Sequence, residues 1–288
     1  MTQELKSAQQ VQTFLSQVDT FLLDCDGVLW HATTLLPRIK ETLEFLRAQN
    51  KKLLFVSNNA SKSRVGYIEK FRKLGLDWVT ADDVIPSSYA AAYGLAQVIP
   101  KDKKVFVVGQ EGIHQELEAH GVKWTNDCPN VGGEGDIDPS VGAVLVGFDA
   151  NFNYVKLSQA CTYLRYGNAE LYASNDDSTF PTASGRLQPG TGCLVHYIEE
   201  SSDCKAKQIF GKPHQTMMDV IVKSHKLDRK RTCMVGDRLN TDIEFGLNGG
   251  LMTLLVLTGV STRQDLETTT TKPQYLIGSF SHMLKTKE

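Results

Sequence analysis

FLLDCDGVLW, residues 21–30, holds two acids at the end of an apolar run. TFLLD (20–24) has the pattern of a short buried strand. In extended chain the i, i+2 spacing of Asp24 and Asp26 puts both carboxylates on one side. Gly27 then allows a sharp exit. In a parallel sheet this is the carboxyl end of a strand, where open α/β folds bind ligands. Two acids so close repel each other, and one is pushed toward its neutral form unless a cation sits between them. The pair suits a hard Mg²⁺, with one carboxylate free to attack and the other to move protons. An isolated D-x-D is more often an acidic turn at a strand end, so the motif needs support from elsewhere in the chain.

Short β-rich runs alternate with helical patterns around it. PRIKETLEFLRAQ (37–49) reads as a helix opened by Pro37, KLLFVS (52–57) as a strand, and SRVGYIEKFRKLG (63–75) as a helix closed by Gly75. The rhythm returns late with KQIFG (207–211), a helix after Pro213, RTCMVGD (231–237), a helix from about Asn240, and LMTLLVL (251–257). Such alternation implies right-handed crossovers and a buried parallel sheet. The middle has its own βα character: KVFVVG (104–109), helix 111–120, AVLVGF (143–148), helix 154–166 and ELYAS (170–174). TNDCPNVGGEGDIDPS (125–140) reads as a surface loop. A second α/β layer inserted between two halves of a first fits this order. From pattern alone, one long continuous sheet fits nearly as well.

Composition narrows the class. The 288 residues suffice for one or two domains, and 41% hydrophobic against 22% charged is an ordinary globular balance. Lys plus Arg number 31 against 33 acids, so a net charge of −2 provides no broad basic field for nucleic acid. A small or locally recognised partner is expected. Cys25, Cys128, Cys161, Cys193, Cys204 and Cys233 form no C-x-x-C pair. That argues against zinc or a compact disulfide framework and makes the cytoplasm the simplest setting, with the nucleus left open. The N-terminus lacks an apolar signal core. The longest uncharged run, 245–262, contains four glycines, and its apolar part fits a buried strand better than a membrane span. No G-x-x-x-x-G-K-[ST] or G-x-G-x-x-G run follows a strand, so nucleotide-loop enzymes are not expected.

Three further strand ends support the acid pair. In VSNNAS (56–61), the Ser57 hydroxyl, Asn58 and the amides of the turn can hold phosphate oxygens, or merely cap a helix. GKP (211–213) puts Lys212 at a strand end, where a solvated lysine is the plain alternative. MVGDRLNTD (234–242) offers Asp237 and Asp242, which can complete an oxygen-rich Mg²⁺ site or only cap. Each is weak alone. Together they offer nucleophile, hydroxyl, lysine and acid at four strand ends, which capping does not explain.

DCDGV (24–28), Ser57, Lys212 and GDRLNTD (236–242) stand in the order of the four motifs of haloacid-dehalogenase-like (HAD) phosphatases, and the chain resembles that family over nearly its whole length. FVSNNASKSR, GFDANFNYVKL, NDDSTFP, PGTGCLV, GKP, MVGDRLNTDI and LTGVS are similar to the branch of 4-nitrophenylphosphatases, phosphoglycolate phosphatases and pyridoxal phosphatases. The resemblance implies a Rossmann-like doubly wound core from residues 1–88 and 206–288, with an inserted α/β cap at 89–205 that sets specificity. It implies Asp24 as nucleophile, forming a phosphoaspartyl intermediate, and Asp26 as general acid and then base. Mg²⁺ would sit on Asp24, the Asp26 backbone carbonyl and Asp237, with Asp242 behind them orienting ligands or Lys212. Ser57, Asn58, Asn59 and Lys212 would hold the phosphate.

Substrate choice then falls to the cap. NDDSTFP (175–181) matches the family's substrate-facing loop, with Asn175 and Asp177 as turn residues. Phe180 stands where pyridoxal phosphatases carry a histidine, and Phe148 where they carry a tyrosine; both departures count against pyridoxal phosphate. The plain alternative for each is cap core. Arg64 is expected on an exposed helix face rather than against a substrate carboxylate, and Cys25 in packing. The expected activity is Mg²⁺-dependent hydrolysis of a small phosphorylated metabolite, with 2-phosphoglycolate leading and 4-nitrophenyl phosphate as an artificial reporter. Pyridoxal 5′-phosphate and a broader range including glycerol 3-phosphate and phosphoproteins are the alternatives. A receiver-like domain carrying a phosphorylated aspartate is disfavoured, because it needs no large insertion over its site. The family commonly dimerises through its cap, and the residues themselves show no interface.

Overall fold

The computed structural model describes residues 2–129, 137–182 and 186–287. Thr20–Leu23 is buried along its whole length. Phe21 and Leu23 enter the core on one side of the sheet and Leu22 the core on the other. That is why the run is apolar at consecutive positions instead of alternating. The strand lies between Lys52–Ser57 and Thr232–Gly236, with Leu23 level with Phe55 and Val235. The full order is Gln3–Glu4, Tyr275–Ile277, Met252–Val256, Thr232–Gly236, Thr20–Leu23, Lys52–Ser57 and Val84–Pro86. Every pairing in it is parallel.

The chain leaves Thr20–Leu23 toward one edge and returns at Thr232–Gly236 on its other side. Strand order therefore reverses at Thr20–Leu23, and such a reversal opens a crevice beyond the carboxyl ends of the central strands. Ala8–Gln17, Ile39–Ala48 and Arg64–Lys73 cover one face through Phe14, Leu43 and Phe71. Ser87–Val98 and Gln215–His225 cover the other through Leu95 and Ile221.

The middle of the chain forms a separate sheet, in the order Gln208–Ile209, Glu170–Ala173, Val141–Val146, Lys104–Val108 and Lys123–Thr125, again wholly parallel. One face of it, with Val107 and Leu145, joins the apolar cluster of Leu95 and Ile221. The other packs on Tyr154–Tyr166 and Thr191–Ser202 through Leu164 and Ile198. The insertion is thus a second layer and not an extension of the first sheet.

Local boundaries differ from the sequence reading. KQIFG, grouped with the core strands, supplies only Gln208–Ile209, and these pair with Glu170–Ala173 of the second sheet. The chain therefore returns to the first layer after Ile209, later than the expected boundary at 206. The other expected boundary, at 88–89, falls inside the helix Ser87–Val98. The strand expected over 20–24 stops at Leu23, and the helix after Pro213 begins at Gln215. Of the loop expected over 125–140, residues 130–136 lie outside the described residues. All six cysteines are free, and Cys25 is packed in the core as expected.

Candidate active site

Asp24 follows the central strand, and its backbone N–H donates to Val235 O at 2.9 Å, so the ladder itself holds it in place. Its side chain is 12% exposed. Lys212, 2% exposed, reaches it across the crevice: Nζ donates to Asp24 Oδ1 at 2.6 Å, Asp242 Oδ1 at 2.7 Å and Val56 O at 3.0 Å. The three donors of the ammonium are thereby all used. Burial alone would discharge this lysine, but the two carboxylates outweigh it and hold its pKa above the ordinary value.

Asp242 is fully engaged. Its second oxygen accepts the backbone N–H groups of Asp237 and Arg238, each at 3.1 Å. Asp237 is wrapped by LTGVS (257–261): Val260 N donates to its Oδ2 at 2.7 Å and Ser261 N to its carbonyl at 2.9 Å. Thr258 Oγ1 closes the same cradle by donating to Gly27 O at 2.6 Å. Gly27 has φ of 85°, and a Cβ there would stand 2.6 Å from Asp237 Oδ2. Only glycine lets the turn pass so close to this carboxylate.

Asp24, Asp237 and Asp242 bring carboxylate oxygens within 4.8 Å of one another. Three buried acids face one buried lysine, an excess of two negative charges where water cannot disperse them. Burial pushes the Asp24 carboxyl well above the usual range, against the pull of Lys212. Burial, then the charge of Asp242, pushes Asp237 up to about 7. A divalent cation removes that conflict, and an all-oxygen donor set fits a hard one. Because Lys212 and two backbone amides already hold Asp242, Asp24 and Asp237 are the carboxylates left to face the ion.

Asp26 lines the same cavity as Asp24 while Cys25 is packed away, as the strand-end alternation expects. Burial raises its pKa. Ser57 ends Lys52–Ser57, and its Oγ accepts from Tyr67 OH at 3.0 Å and Asn59 N at 3.2 Å, leaving its own O–H free to donate. Asn59 is exposed, and its side chain caps Ser61. The turn 57–61 is not a helix N-terminus, because the next helix begins at Arg64 behind a Ser63 cap. Its amides are ordered by side chains instead.

Asn58 has a different place from the one expected. Its Oδ1 accepts from Lys212 N at 2.8 Å, and its Nδ2 donates to Lys212 O at 2.9 Å and Asp177 Oδ1 at 3.0 Å. The amide group is spent on protein and positions Lys212. Asn175 Nδ2 in turn donates to Asn58 O at 2.8 Å. Asn175 and Asp177 are therefore more than turn residues: they tie the loop from the second sheet to the phosphate turn.

That loop roofs a cavity of about 270 Å³ whose lining includes Asp24, Asp26, Lys212, Phe148 and Phe180. The two rings meet edge-on, 5.0 Å between centroids. Phe180 is 36% exposed, so it forms cavity wall and not cap core. Arg64 is neither solvent-facing nor in the cavity. It lies 4.0 Å over the Tyr89 ring and 3.3 Å from the buried Glu116. A pair 52 residues apart leaves no local pattern in the sequence. The role of LTGVS around Asp237 was likewise visible only as a motif of unassigned purpose.

Residues 21–123 match the haloacid dehalogenase-like hydrolase family, and residues 209–283 match a second model of HAD-like hydrolases. The chain belongs to this family. It is 38% identical to the 4-nitrophenylphosphatase of Schizosaccharomyces pombe, over 99% of this chain and 100% of that one. It is 39% identical to phosphoglycolate phosphatase 2 of Arabidopsis thaliana, over 100% and 99%. It is 40% identical to the glycerol-3-phosphate phosphatase of Mus musculus, over 91% and 85%. Among solved structures, the 4-nitrophenylphosphatase of Thermotoga maritima superposes with a TM-score of 0.83 at 33% identity, covering 94% of this chain and 98% of that one. The glycerol phosphate phosphatase of Mycobacterium tuberculosis, solved in complex with calcium, superposes at 0.81 and 29% identity, covering 94% and 76%. The protein is a phosphoric monoester hydrolase of the HAD type. Among the described residues, no helix is long and apolar enough to cross a membrane.

Proposed function

We propose that the protein is a Mg²⁺-dependent phosphatase of small metabolites, with 2-phosphoglycolate its leading substrate. The observation that carries this reading is the buried Lys212 bridging Asp24 and Asp242 beside Asp237, beneath a cavity of about 270 Å³. A space of that size lies just below the usual range for ligand pockets, about 300–1,000 Å³, and suits a ligand of few atoms. Lys212 occupies Asp24 Oδ1, which leaves Oδ2 as the attacking oxygen. Asp24 displaces the alkoxide from phosphorus and becomes a phosphoaspartate; Asp26 protonates the departing oxygen. Asp26 then takes a proton from the water that hydrolyses the acyl phosphate. Asp24, Asp237 and the Asp26 backbone carbonyl would hold the Mg²⁺, whose charge offsets the repulsion between carboxylate and phosphate. Ser57 holds a phosphate oxygen, and Lys212, exchanging one of its protein contacts for the phosphate, offsets the charge that develops there, with Asn58 keeping its backbone in place.

Glycerol 3-phosphate is a second reading, favoured by the names of the mammalian relatives. Pyridoxal 5′-phosphate is disfavoured by an apolar wall of Phe148 and Phe180 that provides no polar partner for the pyridine ring. Phosphate release with Mg²⁺ on 2-phosphoglycolate, glycerol 3-phosphate, pyridoxal 5′-phosphate, a phosphotyrosyl peptide and nucleotides separates these. The highest kcat/KM is expected on 2-phosphoglycolate. A many-fold preference for pyridoxal 5′-phosphate would overturn the reading of Phe180.

A further inference from the structure

We infer that Trp30 is a positioning residue for Asp26, its indole N–H fixing the carboxyl's orientation and the oxygen that carries the transferable proton. The inference rests on the general-acid reading of Asp26 above. Trp30 Nε1 donates to Asp26 Oδ1 at 3.0 Å. The indole is fully buried, meets Phe71 edge-on at 5.2 Å, and has Lys70 Nζ 3.8 Å from its ring centroid on one face. Its backbone is tied as well: Gly27 N donates to Trp30 O at 2.8 Å and Trp30 N to Cys25 O at 3.2 Å. The ring therefore has no freedom to follow a rotating carboxyl, and the carboxyl must adjust to the ring.

An indole N–H donates and cannot accept. Asp26 Oδ1 then serves as the acceptor, and because a carbonyl oxygen accepts better than a hydroxyl oxygen the contact favours the proton on Oδ2. In the transfer step a bond forms between Asp24 Oδ2 and phosphorus, and the bond from phosphorus to the ester oxygen breaks. The electron pair of that bond goes to the ester oxygen, and the proton moves to it from Asp26 Oδ2. Without the N–H, rotation about Cβ–Cγ of Asp26 is broad and two-fold, and the proton faces the ester oxygen only part of the time. The ammonium over the negative ring face draws density from the indole and strengthens the N–H as a donor.

Leaving-group dependence reads this out. An alkoxide needs a proton to depart, whereas 4-nitrophenolate scarcely does. The quantity to measure is the ratio of kcat/KM on 2-phosphoglycolate or glycerol 3-phosphate to kcat/KM on 4-nitrophenyl phosphate, both on one preparation. Such a ratio cancels the fraction of folded enzyme and excludes the later hydrolysis of the intermediate. General-acid assistance is worth roughly 10²- to 10⁴-fold. Asp26→Asn should lower the ratio by about that much, and Trp30→Phe, which keeps a ring and loses the N–H, by about tenfold. Benzothienylalanine at position 30, with sulfur in place of N–H, should do the same if phenylalanine packs poorly. A ratio unchanged in both Trp30 variants while Asp26→Asn lowers it overturns the role of Trp30. A ratio unchanged in Asp26→Asn overturns the general-acid reading itself.

Discussion

The carboxyl edge of the first sheet and the loop that leans over it from the second sheet face the same cavity with opposite materials. The edge gathers Asp24, Asp237, Asp242 and Lys212, all buried, with backbone amides on Asp237 and Asp242 and the Lys212 ammonium between Asp24 and Asp242. The loop presents Phe180 against Phe148 from the connection after Val141–Val146, with Asn175 and Asp177 fastening it to Asn58. Charge held by a rigid sheet can act on any phosphate, since every phosphate presents the same oxygens. Shape held by a loop can act only on what the phosphate is attached to. The difference separates rate from choice, and variants on the two sides should fail in different ways.

The largest failure belongs to the edge. Asp24→Asn should reduce turnover on every substrate, by roughly 10³-fold or more, as loss of a nucleophile does. Melting should shift by only a few degrees, because the change removes a carboxyl that burial already penalises. Appreciable turnover in the variant would move the chemistry off the strand end. Chelation should come next: activity vanishes on all substrates together and returns with Mg²⁺. The returning ion should also raise the melting temperature, since a ligand at 100 times its Kd adds about 2.7 kcal/mol. Activity that survives exhaustive chelation would leave the three acids without their counter-charge and defeat the metal reading.

The two regions also differ in how far the sequence betrays them. A central parallel strand must be apolar throughout, so TFLL ending in acid is conspicuous, and Asp24, Ser57 and Asp237 each sit where such a run ends. Alternation shows the β and α segments but leaves two layers and one continuous sheet both open; the family resemblance is what implies the inserted layer. Gln208–Ile209 was assigned to the wrong layer because two residues carry no periodicity, and their partner Glu170–Ala173 is chosen by tertiary packing. Asn58 looked like a phosphate ligand because its type suits one. Only the fold shows its amide spent on Lys212 and Asp177, 154 and 119 residues away. Nothing in the spacing of Trp30 shows that its N–H would meet Asp26. Long-range hydrogen bonds leave no pattern along the chain, and most of the ties between edge and loop are of that kind.

A change in the loop should alter ratios and spare the rest. Phe180→Ala removes a ring that is partly exposed and meets Phe148. The relative kcat/KM of two substrates should shift by about tenfold, the scale on which one apolar contact discriminates. The Mg²⁺ requirement should stay as it was. Equal loss on every substrate would mean that the ring supports the edge and does not select.

The smallest effect tests the fastening itself. His214 Nε2 lies 2.9 Å from Asp176 Oδ2, joining the segment after Lys212 to the loop. The hydrogen bond to Asp176 raises the imidazole pKa from the ordinary 6.5, against burial. The folded state thus holds this proton more tightly than the unfolded chain does. The stabilisation is complete below about pH 6.5 and fades as pH rises through the raised value. Both side chains are more than a third exposed, so solvent screens the pair to roughly 0.5 kcal/mol or less. In a chain of this size that is about 1–2 °C. The melting temperature of His214→Asn should therefore fall below wild type by that amount below about pH 6.5, and the two should converge as pH rises past the raised pKa. His114 and His225 titrate in both proteins, so only the difference between them reports on the pair. A gap that stays constant with pH would mean that the His214 contact does not depend on the imidazole's charge, and the loop's grip on the edge would then not respond to acid.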